Sequence, residues 1–169
     1  MSDYEWTVEV TATAQRAISR EIRGQWDGRE LGGVLVGQIS GERIVVTDAN
    51  GLGVGVETPR GETWMQPSRG RWHDFARACG ADIVGDWHSH PGGSTTVPSR
   101  QDIRSWQATR EALGAQVYVG LIFLPKKVHL RGIHHGEPGW SFHKPEVGEY
   151  LITDAGYQRA RVALLGAAP

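Results

Sequence analysis

Two histidines, a serine and an aspartate stand within fifteen positions of one another, in Gly85-Asp86-Trp87-His88-Ser89-His90-Pro91 and in Ser99-Arg100-Gln101-Asp102. In an extended segment residues two apart point the same way, so His88 and His90 face a common point. Imidazole nitrogen is a good metal ligand at neutral pH. Asp102 follows Ser99 by three positions near the expected start of a helix, where both side chains project toward one end. Two histidines and a carboxylate make three protein ligands, the number that a catalytic zinc takes when its fourth position is kept for water. Such a metal lowers the pKa of that water from about 15.7 to roughly 7. A base must then take up the proton and return it to the leaving amine. Glu30, an acid at the head of an apolar strand, is the candidate. Ser99 is a candidate donor to the oxyanion of a tetrahedral intermediate.

Each part has a plainer reading. Ser99-x-x-Asp102 ahead of an apolar helix face is also a capping-box variant, and such a cap is compatible with a site because it fixes side-chain direction. His88-x-His90 taken alone is equally a pair of structural or surface histidines, and Glu30 taken alone is a solvated glutamate. A serine hydrolase is disfavoured, because no Gly-x-Ser-x-Gly elbow is present. An amidohydrolase barrel needs about 250 residues, more than this chain has. His134, His135 and His143 read as a solvated loop, His73 and His129 as surface or half-buried residues, and Cys79 as core packing.

The elements that must position these residues follow from periodicity. Ala14, Ala17, Ile18, Ile22 and Trp26 predict an amphipathic helix over 12–26. Residues 31–39 and 43–48 predict a hairpin around Ser40-Gly41-Glu42. Residues 49–66 read as a long irregular connection with one short strand near Val54 to Glu57. Ser68 is expected to cap a helix with Trp72, Phe75, Ala76 and Cys79 on its face. Asp82 to His88 is the strand that delivers the histidines. Ser99 to Leu113 is a helix with Ile103, Trp106, Arg110 and Leu113 on one face, closed by Gly114. Val117 to Leu124 is apolar throughout and should lie centrally in a sheet. Strands are expected over Val128–Ile133 and near Trp140 to Phe142, and a last helix over Thr153–Leu165. The pattern is α+β, a mixed or antiparallel sheet flanked by helices in one domain, 1–169.

Composition narrows the function. The chain has 169 residues, 39% hydrophobic and 22% charged, with a formal net charge of -1. No basic block marks a nucleic-acid or membrane partner. Cys79 is the only cysteine, which excludes an intramolecular disulfide and a cysteine zinc cluster and favours a reducing compartment. The N-terminus lacks a signal-peptide pattern, and the run Val117 to Pro125 is too short to span a bilayer, so a cytoplasmic location is expected.

Taken together, these residues resemble the JAMM (MPN+) family of zinc metalloproteases, whose signature is a distant Glu, then His-Ser/Thr-His-Pro, then Ser-x-x-Asp. Here it stands as Glu30 in Arg29-Glu30-Leu31-Gly32-Gly33-Val34-Leu35-Val36-Gly37, then His88-Ser89-His90-Pro91, then Pro98-Ser99-Arg100-Gln101-Asp102. The resemblance covers Glu30 to Phe123, a motif-bearing core of 30–124, and includes a Gly-rich connection, Asp48 to Gly53, similar to that of bacterial members. It implies an MPN/JAB-type domain with cytidine-deaminase-like architecture. It implies one Zn2+ on His88, His90 and Asp102, with Glu30 as general acid/base and Ser99 as oxyanion stabiliser. It implies hydrolysis of a peptide or isopeptide bond at the tail of a ubiquitin-like or sulfur-carrier protein, with E1- or E2-like or sulfur-transfer partners. Gly53, Gly55, Trp64 and Trp87 are the candidates for substrate contact. The loop 91–98 is one residue longer than the family's usual spacing, an excess that Gly92 and Gly93 can absorb. The rival expectations are a non-catalytic MPN-type scaffold and a metallohydrolase of a non-protein amide.

Overall fold

Fifteen elements follow one another along the described chain: strand β1 (Thr7–Val10), helix α1 (Ala12–Gly24), β2 (Gly32–Ser40), β3 (Arg43–Ala49), β4 (Gly53–Glu57), β5 (Thr63–Pro67), α2 (Arg69–Cys79), β6 (Asp82–Ser89), α3 (Arg100–Leu113), β7 (Tyr118–Leu124), β8 (Lys127–His129), β9 (Trp140–Phe142), β10 (Glu146–Thr153), β11 (Gly156–Arg159) and β12 (Arg161–Leu164). This computed structural model describes residues 6–24, 30–51, 53–57, 63–67, 69–90, 95–124, 127–129, 140–142 and 146–164. For 23–24, 53–57, 63–67, 127–129, 140–142 and 161–164 it describes the backbone alone.

Eight strands form one mixed sheet in the order β11-β10-β7-β6-β2-β3-β1-β12, and β4-β5 and β8-β9 are separate two-stranded hairpins. β6 runs parallel to β7 and antiparallel to β2, so it is flanked on both sides and lies well inside the sheet. β7 is buried along its whole length, as a strand covered on both faces must be.

Strand alternation sorts the core into two faces. Ala14, Ile18 and Ile22 of α1 pack with Leu35, Ile44, Trp87, Val119 and Leu121 on one face. On the other, Trp72 and Ala76 of α2 cover Val34 and Val36, while Trp106 of α3 covers Tyr118, Ile122, Tyr150 and Ile152. One irregularity matters for the site. Leu35 opposes Gly85 but Val36 opposes Ile83, which makes Val84 the extra residue of a β-bulge. Ile83 packs under α2 and α3, Val84 and Trp87 join the α1 side, and Asp86 and His88 beyond the bulge face α3.

The α+β class with a mixed sheet flanked by helices is therefore the observed one, and helices stand over 12–24, 69–79 and 100–113 as expected, with Ile18, Trp72 and Trp106 of their expected stripes buried. Three expectations change and one element is added. The helix expected over Thr153–Leu165 is instead strand, turn and strand: Asp154-Ala155 turn into Gly156 at φ 126, a conformation that favours glycine, and β11 returns beside β10. The connection 49–66 holds a paired hairpin, β4 with β5, where one short strand was expected. β1, which no expectation covered, pairs in parallel with both β3 and β12. Cys79 is exposed, because the buried stripe of α2 ends one turn earlier at Ala76. His73 is exposed as expected, while Trp26, Ser68, His134, His135 and His143 lie outside the described residues, as does 130–133 of the strand expected over 128–133.

Candidate metal centre

β6 ends where its two histidines begin to diverge from the sheet. His88 is the last buried ligand-type residue of the strand, 3% exposed, with its ring 5.8 Å from that of Trp106. His90 follows the strand's end, and its backbone N–H still donates to the Phe123 carbonyl at 2.9 Å, so β7 steers it for one more step. The two Nε2 atoms approach to 3.2 Å. The His90 Nδ1 meets the Thr95 carbonyl oxygen at 3.1 Å. A carbonyl only accepts, so Nδ1 carries the proton and Nε2 turns its lone pair inward.

Asp102 reaches the histidines from the first turn of α3. Ser99 is the N-cap: its hydroxyl accepts from the Asp102 backbone N–H at 3.1 Å, and its own N–H donates to Asp102 Oδ2 at 2.6 Å. This is a capping box, so the plain structural reading of Ser99-x-x-Asp102 holds, and the cap aims the carboxylate at the histidines. Oδ1 lies 3.3 Å from His88 Nε2 and Oδ2 3.6 Å from His90 Nε2. One ligand atom from each of His88, His90 and Asp102 falls within 4.8 Å of the other two, an arrangement suited to hold a metal ion. Burial works to raise the Asp102 carboxyl, but the adjacent His88 and His90 rings and the Ser99 N–H outweigh it and hold it far below the ordinary range. The same carboxylate raises His90, against the opposing effect of its partial burial.

Glu30 enters from the neighbouring strand. Antiparallel pairing carries β2 to Gly32 opposite His88, and one further pair of bonds joins the chains beyond it. Ser89 N–H donates to the Leu31 carbonyl at 2.8 Å, and the Ser89 hydroxyl accepts from Leu31 N–H at 3.0 Å. That bridge fixes the residue next to Glu30. Glu30 is 8% exposed and lines one pocket with Asp86, His88, Gln101, Asp102, Ser105 and Trp106. Ser99 is exposed and is not among the residues lining that pocket; its hydroxyl, accepting one hydrogen bond, still has its own proton to donate.

Asp86 was not singled out from the sequence, although strand alternation puts it on the same side as His88. Its buried carboxylate accepts from Trp106 Nε1–H and from the Tyr118 hydroxyl, both at 2.8 Å. Burial pushes its carboxyl up to about 6, against the lowering effects of His88 and of the two donors. Ser89 was likewise missed as a positioning residue; only the pairing of β2 with β6 reveals it. Of the substrate-contact candidates, Trp87 is fully enclosed and its Nε1–H donates to the Asn50 carbonyl at 2.8 Å, so it buttresses the strand and does not line a groove. Gly53, Gly55 and Trp64 lie in the β4–β5 hairpin, opposite Pro67, Met65 and Val56 respectively.

This geometry agrees with what the chain is similar to. A family model described as prokaryotic homologs of the JAB domain matches residues 11–131, and the chain belongs to that family. Among solved structures it is similar to the solution structure of protein DSY2949 from Desulfitobacterium hafniense, with a TM-score of 0.59 and 20% identity over 93% of this chain and 92% of that one. That likeness is one of fold. No curated protein is similar enough in sequence to count as a match. Among the described residues no helix is long and apolar enough to cross a membrane.

Two substitutions test the supports of the site. Ser89→Ala leaves the Leu31 N–H without its acceptor and should cost about 1–3 kcal/mol in urea unfolding, whereas Ser89→Thr, which keeps the hydroxyl, should cost less. Asp86, raised from its ordinary 3.8 to about 6, favours the neutral form in the fold. Its contribution is fully present below about pH 4 and is lost as the pH rises through about 6. Measured against Asp86→Asn, the metal-free wild-type protein should therefore lose roughly 3 kcal/mol of stability between about pH 4 and about pH 8. A difference that stays flat over that range would remove Asp86 as a buried titrating group.

Proposed function

We propose that this chain is a zinc-dependent peptidase or isopeptidase that cuts at the C-terminal tail of a ubiquitin-like or sulfur-carrier protein. The observation that carries the reading is the convergence of His88, His90 and Asp102 beside a pocket that Glu30 lines together with His88 and Asp102. An inward-facing imidazole lone pair and a carboxylate, crowded against a second imidazole, are suited to a shared cation. Two imidazoles with one carboxylate suit zinc. His88, His90 and Asp102 would hold the ion, which when bound acidifies water and polarises a carbonyl.

The chain's own groups do the rest. Glu30 takes the proton of the attacking water and hands it to the departing amine, which needs an ionised carboxylate in a pocket partly shut off from solvent. Ser99 donates its remaining proton to the carbonyl oxygen as negative charge gathers there. Trp87, buried on the opposite face of β6 and bonded to the Asn50 carbonyl, supports the strand between Asp86 and His88. The β4–β5 hairpin carries strand edges, and a tail laid beside one would gain main-chain hydrogen bonds and arrive extended, as a scissile bond must.

Activity on a fusion of a ubiquitin-like protein through its C-terminus, together with zinc analysis of the purified protein, tests the reading. Glu30→Gln should keep zinc and lower the cleavage rate by about 10²–10⁴-fold. His88→Ala should lose both zinc and cleavage. Wild-type rates from Glu30→Gln would remove Glu30 from the mechanism. A folded protein that takes up no zinc would favour a non-catalytic scaffold.

A further inference from the structure

The metal-site reading leaves one ligand without an evident anchor. His88 is fixed within a strand and Asp102 by a helix cap, but His90 is oriented by the carbonyl of Thr95, in the irregular segment between the strand and α3. A carbonyl in a loop orients a ring only as well as the loop itself is held.

The loop is held from β10. Thr96 is 3% exposed, and its carbonyl accepts from the Tyr150 hydroxyl at 2.9 Å in a buried hydrogen bond. Two residues earlier on β10, Gly148 leaves open the space that Thr96 fills. A Cβ at 148 would stand 2.6 Å from the Thr96 carbonyl oxygen and 2.7 Å from its Cβ, closer than real Cβ atoms come. Within the loop, the Thr95 hydroxyl accepts from Val97 N–H at 3.0 Å, which stiffens the turn. Tyr150 is itself fixed. It pairs with Gly120 of β7 and packs 5.8 Å from Trp106, whose indole is bonded to Asp86. β10 lies beyond residues 11–131, the part of the chain that the JAB-domain model matches.

We propose that Tyr150 is a positioning residue of the metal centre: with Gly148 it holds Thr96, and so sets the Thr95 carbonyl that orients the His90 imidazole. The inference rests on the metal-site reading for its function and on β10 for its geometry. The C-terminal hairpin is then part of the site as well as of the sheet.

The test compares zinc affinity with stability and reads the His90 ring directly. Tyr150→Phe removes one hydroxyl and keeps the packing. Its zinc Kd should rise about tenfold, the effect typical of a lost outer-shell hydrogen bond. Gly148→Ala, which displaces Thr96 by another route, should weaken zinc in the same direction, while Tyr157→Phe, altering an exposed neighbour of Tyr150, should leave the Kd unchanged. In the metal-free protein at alkaline pH, 15N NMR should find His90 protonated at Nδ1 in wild type and mixed between its tautomers in Tyr150→Phe. If both β10 variants unfold more easily but bind zinc within about twofold of wild type, Tyr150 is only structural and the proposal falls. If wild type takes up no zinc, the proposed function fails, and the NMR comparison decides this proposal by itself: a His90 tautomer unchanged by Tyr150→Phe overturns it.

Discussion

The site depends on how α3 is fastened to the sheet. Trp106 is one helical turn beyond Asp102, and its indole lies buried between His88 and Tyr150 while its N–H is bonded to Asp86 on β6. A helix attached by apolar contact alone can roll or slide with little penalty. One attached through a directional bond into a low-dielectric interior cannot, because the buried carboxylate would lose its donor. The fastening therefore fixes the rotation of α3, and with it the direction of the first turn. The capping box then refines that direction: Asp102 is aimed by its own helix end, and the helix is aimed by Asp86.

Asp86 belongs to both the support and the environment of the site. It is a second buried carboxylate close to Asp102 and Glu30, and its raised pKa reflects the burial that comes with its role. Metal-free, the protein carries an electrostatic cost here that positive charge in the pocket offsets. That is a physical reason for the folded chain to favour a cation at the centre, independent of how many ligands touch it.

Local chemistry explains what could be read in advance. The α3 cap at Ser99, the Gly114 stop, the β2–β3 hairpin and the apolar strand β7 all announce themselves within a few residues, and the ligand triad follows from alternation in one strand and the start of one helix. What could not be read depends on partners far off in sequence. β1 is four residues of ordinary alternation and becomes a strand because β3 and β12 lie on either side of it. The alanines and scattered apolar residues of 153–165 mimic a helix, and only the edges of β10 and β1 recruit them, as β11 and β12 respectively. Ser89 reads as a spacer between two histidines until β2 is laid beside it. Tyr150 gives no signal at all, because its partner is a backbone carbonyl 54 positions away.

The bulge at Val84 has a consequence for how this strand can change over time. Because successive side chains take opposite faces, the number of residues between the bulge and His90 sets which face each of them occupies. Loss of the bulged residue would restore plain alternation, Ile83 opposite Val36 and Gly85 opposite Leu35, and leave Asp86 and His88 facing α3. One residue gained or lost between Gly85 and His88 would instead send the histidines into the packing beneath α1. Composition would be unchanged but for one residue, and the site would be gone. Beyond the bulge the strand is therefore under a parity constraint, in which only paired insertions and deletions preserve the chemistry. A change in length between His90 and Thr95 escapes that constraint, since the anchoring of Thr96 by Tyr150 sets where the chain resumes.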